Sequence, residues 1–241
     1  MVRRKSKKKD REEKNAIVLH LPDPTRIAKG ELSKSSKTRL RILNAAIDCL
    51  AETGYAGTTT STVALRAGLT RTAMLYHFPS RSSLIEGTVY QIMRCRLDMY
   101  VKDVIEQKIF DPITIVDLAW KHLQTNAFAA FTELLIAAHT DDDLSSIFEP
   151  ALAEYDRARR ELSLISFTEE QKSAPWFNLR RDIFRFLLEG FAMQRGLSYN
   201  AQDREGELLA FLKVLVGTLE GDKVLGAAIS KKDGSRRRRG R

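Results

Sequence analysis

The sequence predicts an all-α protein of about nine helices, divided between a small amino-terminal domain and a larger helical one. Three observations carry this. Nearly every segment between residues 31 and 229 spaces its apolar residues three and four apart. No apolar–polar alternation runs long enough to argue for a sheet. Thr, Ser, Gly and Pro fall where helices begin and end rather than inside them.

A first helix is predicted over 37–53, with Ile42, Ala45, Ala46, Cys49 and Leu50 as its apolar stripe and Gly54 closing it. Thr58, Thr59 and Thr60 offer caps for a short second helix ending near 67, and Thr70 caps a third through 77. Pro79 and Ser80 then break the chain before a long fourth helix over 81–107. Further helices are predicted over 112–124, 127–139, 143–164, 169–196 and 203–220. The ends differ: 1–30 and 230–241 lack periodicity and carry Lys/Arg runs, so both are predicted as disordered basic tails.

The net charge of +9 is unevenly spread. Residues 1–14 carry +5, 29–81 carry +5, 231–241 carry +6, and 82–230 carry −7. A small basic module therefore precedes a larger acidic body, as expected of a nucleic-acid-binding head on a body kept away from phosphates. Cys49 and Cys95 cannot build a disulfide framework, which fits a reducing compartment and a cytoplasmic location. The apolar stretch 127–138 is shorter than a membrane span and is interrupted by Glu133, and no apolar run follows the basic start to make a signal peptide.

The turn Ala67-Gly68-Leu69-Thr70 between the second and third helices has the form of a helix-turn-helix. Gly68 suits the positive φ needed to reverse after a helix. Ala64 allows a close helix crossing, and Val63, Leu69 and Met74 can seal it. Arg71-Thr72-Ala73 then opens the third helix with a cationic fork followed by small side chains, as a major-groove reader needs.

With those residues in view, 38–90 resembles the DNA-binding domain of the TetR family of bacterial transcriptional regulators. The similar text is RILNAAIDCLAETGYAGTTTSTVALRAGLTRTAMLYHFPSRSSL. It is carried by the Ile42-Leu43-x-Ala45-Ala46 start, Gly54-Tyr55, Thr58-Thr59, 64–68 and the block from Tyr76 to Arg81. Leu75 departs from the family's usual aromatic and Thr60 from its frequent aliphatic. The resemblance implies base reading by Ser61, Arg71, Thr72 and Leu75, with Ala73 filling space against the groove and Thr70 capping the reading helix. It implies phosphate contacts from Thr59, Thr60, Tyr76, His77 and Arg81. Taken singly, Tyr76 and His77 also suit packing, and Arg71 a solvated surface.

The resemblance further implies a carboxy-terminal domain that binds a small molecule and dimerises through its last two long helices. The residues lend support. Phe177, Phe184, Leu188 and Phe191 line one side of helix 169–196, Ile183 and Leu187 a neighbouring side, and 208–216 is apolar nearly all round. Ile183, Leu187, Leu208, Phe211, Leu212 and Leu215 are the interface candidates. Met99, Tyr100, Trp120, Phe128, Phe131 and Met193 can wall an apolar pocket for an apolar or aromatic effector, with ordinary core packing as the alternative for each.

No cofactor or metal is expected. The histidines form no HExxH pair, and Asp141-Asp142-Asp143 suits the start of a helix. Enzyme fingerprints such as GxSxG or GxGxxG are absent from the sequence. Two readings stay open: a repressor that binds a palindromic operator as a homodimer and leaves it when an effector binds, and an effector-independent DNA-binding protein with an architectural or protein-regulated role.

Overall fold

The α1 stripe decides how the amino-terminal half packs. In the computed structural model, which describes residues 21–26, 33–165, 167–173, 177–195 and 204–221, α1 spans Ser33–Gly57 and buries Ile42, Leu43, Ala46 and Leu50 completely. Gly54 leaves helical geometry at φ +71°, where the sequence predicts a stop, and one more turn follows it. The other elements are α2 (Thr60–Arg66), α3 (Arg71–His77), α4 (Arg81–Tyr100), α5 (Pro112–Leu123), α6 (Asn126–Ala137), α7 (Asp142–Ile165), α8 (Glu169–Ser173), α9 (Phe177–Arg195) and α10 (Glu205–Gly221). No strand occurs among the described residues.

Two segments differ from expectation. The predicted helix 81–107 is α-helical only to Tyr100, and Val101–Ile105 continue as a π turn. Of the predicted helix 169–196, Glu169–Ser173 and Phe177–Arg195 are helical, and 174–176 lie outside the described residues. Part of the arm predicted to be disordered is anchored: Leu21 is 1% exposed, its carbonyl accepts from Arg94 Nη1 at 3.0 Å, and that of Pro24 accepts from Arg39 Nε at 2.9 Å. Proline content hid an apolar side chain that a groove could take. The rest of the arm, and the predicted tail 230–241, lie outside the described residues.

Packing divides the chain into two compact units. The first holds the described residues up to Lys102 together with Gln124–Leu162. In it α1 packs on α2, α4 and α6, so the packing division does not fall at residue 81, where the charge pattern changes. Phe128, Phe131 and Tyr155 surround the Arg96 guanidinium, at 5.3, 4.1 and 5.0 Å from their ring centroids. The second unit holds 103–123 and the described residues from Ser163 onward. There α5 packs on α9 and α10 around Val116, Trp120, Leu188, Leu212 and Val216. Trp120 stacks on Phe191 at 4.8 Å and donates from Nε1 to Glu205 Oε1 at 2.8 Å.

Gly87 sits where α4 crosses the α1 core. A Cβ there would lie 2.9 Å from Phe78 Cε1 and 3.2 Å from Leu43 Cδ2, both on fully enclosed side chains. Gly87→Ala is expected to lower stability by about 1–3 kcal/mol through overpacking, read as a fall in Tm by calorimetry. An unchanged Tm would mean the Phe78 ring yields without cost.

Candidate nucleic-acid interface

The helix-turn-helix is assembled from local hydrogen bonds that the sequence announces. Thr59, extended at φ −109° and ψ 162°, caps α2 through Oγ1, which accepts from the Thr62 amide at 3.1 Å. Thr62 Oγ1 returns the favour by accepting from the Thr59 amide at 2.9 Å, a capping box with Thr in the usual Glu position. Gly68 takes φ +63° with nothing within 4 Å of an added Cβ, so backbone conformation rather than space calls for glycine there. Thr70 Oγ1 accepts from the Ala73 amide at 3.1 Å and starts α3. Val63, Ala64 and Met74 close the crossing against Ile42 and Phe78.

This packing decides which side chains face outward. Thr59, Ser61, Thr70, Arg71 and Thr72 are exposed, Tyr76 is 77% exposed, and Thr60, Ala73 and His77 are half-buried. Tyr76 and His77 meet edge to face at 5.3 Å. Arg71 has no chain partner among the described residues, so its guanidinium fork is open to an acceptor.

Leu75 and Arg81 also make contacts within the chain. Leu75 is half-buried and packs against the helix-turn-helix core, which draws it away from a purely base-reading role. Arg81 is committed within the chain. Its Nη1 donates to Tyr55 Oη at 3.0 Å, Nη2 to the Tyr55 carbonyl at 2.8 Å and Nε to the Thr58 carbonyl at 3.2 Å, while the guanidinium lies 4.2 Å from the Tyr55 ring centroid. A fork that finds three chain acceptors braces α4 against the α1–α2 connection. Burial pushes the Tyr55 phenol up, which keeps it a protonated donor, and its hydroxyl lies 3.2 Å from Asp141 Oδ2.

Sequence reasoning missed Arg39. It lies 4.2 Å over the Phe78 ring and donates from Nη1 to the His77 carbonyl at 2.6 Å, thus closing the carboxyl end of α3. The basic spacing Lys37, Arg39, Arg41 was the available signal, but nothing local told the inward residue from its neighbours. Lys37, Arg41 and Arg66 line a groove of about 380 Å³ beside α1, and Arg66 pairs with Glu52.

The remaining candidates sit as follows. Phe128 and Phe131 are core of the first unit, and Met99 and Tyr100 are half-buried at the end of α4. Trp120 is core of the second unit, where Met193 is exposed. Ile183, Leu187 and Phe211 are exposed, Leu208 and Leu215 half-buried, and Leu212 buried. Asp141 caps α7, its Oδ1 accepting from the Leu144 amide at 2.8 Å, and no metal-holding group of acids, His or Cys occurs among the described residues. Burial pushes the Cys95 thiol up, away from reactive thiolate. No helix among the described residues is long and apolar enough to cross a membrane.

Two short capped helices around Gly68, with Arg71 and Thr72 presented at the start of the second, define a helix-turn-helix DNA-binding transcriptional regulator. Residues 42–88 match the family model of the bacterial regulatory proteins, tetR family. Over that segment, which is the helix-turn-helix and the helices flanking it, the chain is similar to the DNA-binding region of the TetR family.

Among curated relatives it is similar to uncharacterized HTH-type transcriptional regulators of Mycobacterium bovis (strain ATCC BAA-935 / AF2122/97) and of Mycobacterium tuberculosis strains CDC 1551 / Oshkosh and ATCC 25618 / H37Rv. Each is 29% identical over 151 residues, covering 60% of this chain and 77% of the relative. Among solved structures, the multidrug binding protein EbrR complexed with imidazole is 21% identical, with a TM-score of 0.45 over 72% of this chain and 93% of that one.

The different positions of two arginines yield a contrast. Arg81→Lys cannot reproduce a fork to three acceptors and is expected to cost about 1–3 kcal/mol of folding stability, whereas Arg71→Lys, on an exposed position, should leave the Tm within error. Denaturant unfolding of both variants checks this, and equal stability of the two would remove the brace assigned to Arg81.

Proposed function

We propose that the protein represses transcription in the cytoplasm by binding a near-palindromic DNA operator as a homodimer, and that a small apolar or aromatic effector releases it. The observation that carries operator reading is the outward Arg71-Thr72 pair at the capped start of α3, followed by Ala73. A guanidinium there can bond guanine O6 and N7 bidentately, and the small side chains let the helix approach the base edges. Thr59, Thr60, Tyr76 and His77 are the accompanying phosphate candidates, and the basic arm 1–20 adds sequence-independent affinity through counterion release.

Dimerisation is supported by apolar surface on α9 and α10. Ile183, Phe186, Leu187, Phe211 and Val214 are all exposed in the single chain, which is more than a solvated pair of helices needs. Leu212 does not belong to that surface. At 8% exposure it packs with Trp120, Val116, Leu188 and Val216 inside its own chain, so interface probes are better placed at Phe211 and Leu187.

Effector release is read as a population shift. An effector that prefers the conformation with mismatched reading heads lowers operator affinity by the ratio of its two affinities, and the operator weakens the effector equally. α4 is the natural lever, since it starts at the DNA-reading module and carries Met99 and Tyr100 at its far end. A ligand retained by the purified protein, identified by native mass spectrometry, tests the effector part directly.

Operator reading is tested by selecting duplexes from a random pool. The selected site should be a near-palindrome, and Arg71→Ala should weaken it by about 1–3 kcal/mol while relaxing choice at one base pair in each half. Equal losses on selected and random duplexes would make Arg71 a phosphate contact. For the dimer, Phe211→Glu should sediment as a monomer with the wild-type helix content, because it buries a carboxylate only in the assembled state. Leu212→Glu should instead lower the Tm, and an unchanged dimer with Phe211→Glu would place the interface elsewhere.

A further inference from the structure

One hydroxyl joins three segments that are far apart in sequence. Tyr55, in the last turn of α1, accepts at Oη from Arg81 Nη1 at 3.0 Å and lies 3.2 Å from Asp141 Oδ2, to which it donates. Arg81 is the first residue of α4 and is fixed twice more, on the Tyr55 and Thr58 carbonyls. Asp141 is fixed on the other side as the cap of α7. The same stretch meets α6 one residue earlier, because a Cβ at Gly54 would lie 3.0 Å from Glu133 Oε2. The chain between 54 and 58 leads directly into the Thr59 cap of α2, so whatever tilts it tilts the reading pair.

The bonds in this junction are unequal. Arg81 grips the 55–58 stretch with two carbonyl bonds, a hydroxyl bond and a ring face, whereas the link onward to α7 is a single hydroxyl–carboxylate contact. A phenol donating to a carboxylate reaches its full strength near 2.5–2.7 Å, so at 3.2 Å this is the soft link. A small displacement of the α6–α7 turn therefore makes or breaks it before disturbing the rest.

We infer that Tyr55, Arg81 and Asp141 form a positioning junction. Arg81 locks the α1–α2 connection to α4, and the Tyr55 hydroxyl couples that locked unit to the α6–α7 turn, so the state of the turn sets the angle at which α2 and α3 meet DNA. The inference deepens the operator reading proposed above and rests on that reading for its DNA arm. It names positions for regulation that touch neither base nor phosphate.

The test uses the full chain with Tyr55→Phe, Asp141→Asn and both together. Phe keeps the ring beneath Arg81 and both carbonyl bonds while removing the two bonds of the hydroxyl, and Asn keeps the α7 cap through Oδ1 while putting an amide donor where the carboxylate oxygen accepted from Tyr55. Two measurements are made: hydrogen–deuterium exchange of peptides covering α2–α3 and the first turn of α7, and affinity for the duplex that the wild-type protein selects from a random pool. Either single substitution is expected to speed exchange in both regions and weaken the selected duplex by about 3- to 10-fold, the worth of one hydrogen bond, with the double variant no worse than the singles.

Exchange that changes only beside the substituted residue would overturn the junction, as would additive losses of affinity or an affinity unchanged in all three variants. Should the wild-type protein select no duplex, operator reading fails by itself. The exchange data then decide the junction alone, with changes in both regions supporting it.

Discussion

Burial of α1 on several sides is the constraint from which the amino-terminal unit follows. Ile42, Leu43, Ala46 and Leu50 are wholly enclosed, and helices α2, α4 and α6 all rest on α1. One helix thereby supplies the floor of the helix-turn-helix and a wall of the α4–α6–α7 core. The reading pair is too small for a core of its own: α2 and α3 are seven residues each and contribute Val63, Ala64 and Met74. They hold their geometry because α1 is held from behind. A DNA-reading element built this way cannot change its tilt independently of the helices that grip α1, which makes those helices natural carriers of regulation.

Charge must be divided under the same constraint. The segment 29–81 carries +5, yet its arginines do different work. Arg39 closes α3 on the His77 carbonyl, Arg66 pairs with Glu52, and Arg81 is spent on Tyr55 and Thr58. Arg71 remains outward. The guanidiniums bonded to carbonyls keep their charge but have spent donors within the chain, so the number of open donor forks is smaller than the number of arginines.

What the sequence revealed, and what it hid, divides along the range of the interactions. The caps at Thr59 and Thr70 and the positive φ at Gly68 depend on residues within three positions, and each was legible. For Arg81 the resemblance implies a phosphate contact and says nothing of its bonds within the chain. Its partner lies 26 residues back, and periodicity carries no trace of it. Leu21 was assigned to the unstructured arm for a similar reason: its carbonyl bond reaches 73 residues forward. In α10 the whole run looked apolar, and only the observed packing separates inward Leu212 from outward Phe211 one position away.

The end of α4 illustrates how a long helix can serve two units. The division between the units falls after Lys102, inside the π turn Val101–Ile105, so the backbone passes from one to the other without leaving helical hydrogen bonding. A π turn widens the helix by one residue and re-aims the side chains beyond it, which is why such turns recur where a helix changes task. Here it presents Asp103, whose carboxylate lies 2.9 Å from His122 Nε2 on α5 and 3.4 Å from Lys121 Nζ. The His122 hydrogen bond holds the Asp103 carboxyl below the usual range. A carboxylate lowered on folding stabilises the fold above its unfolded value and ceases to do so as pH falls through the folded one. At neutral pH the ionised Asp103 therefore holds the π turn to His122 and Lys121 of α5 within the second unit.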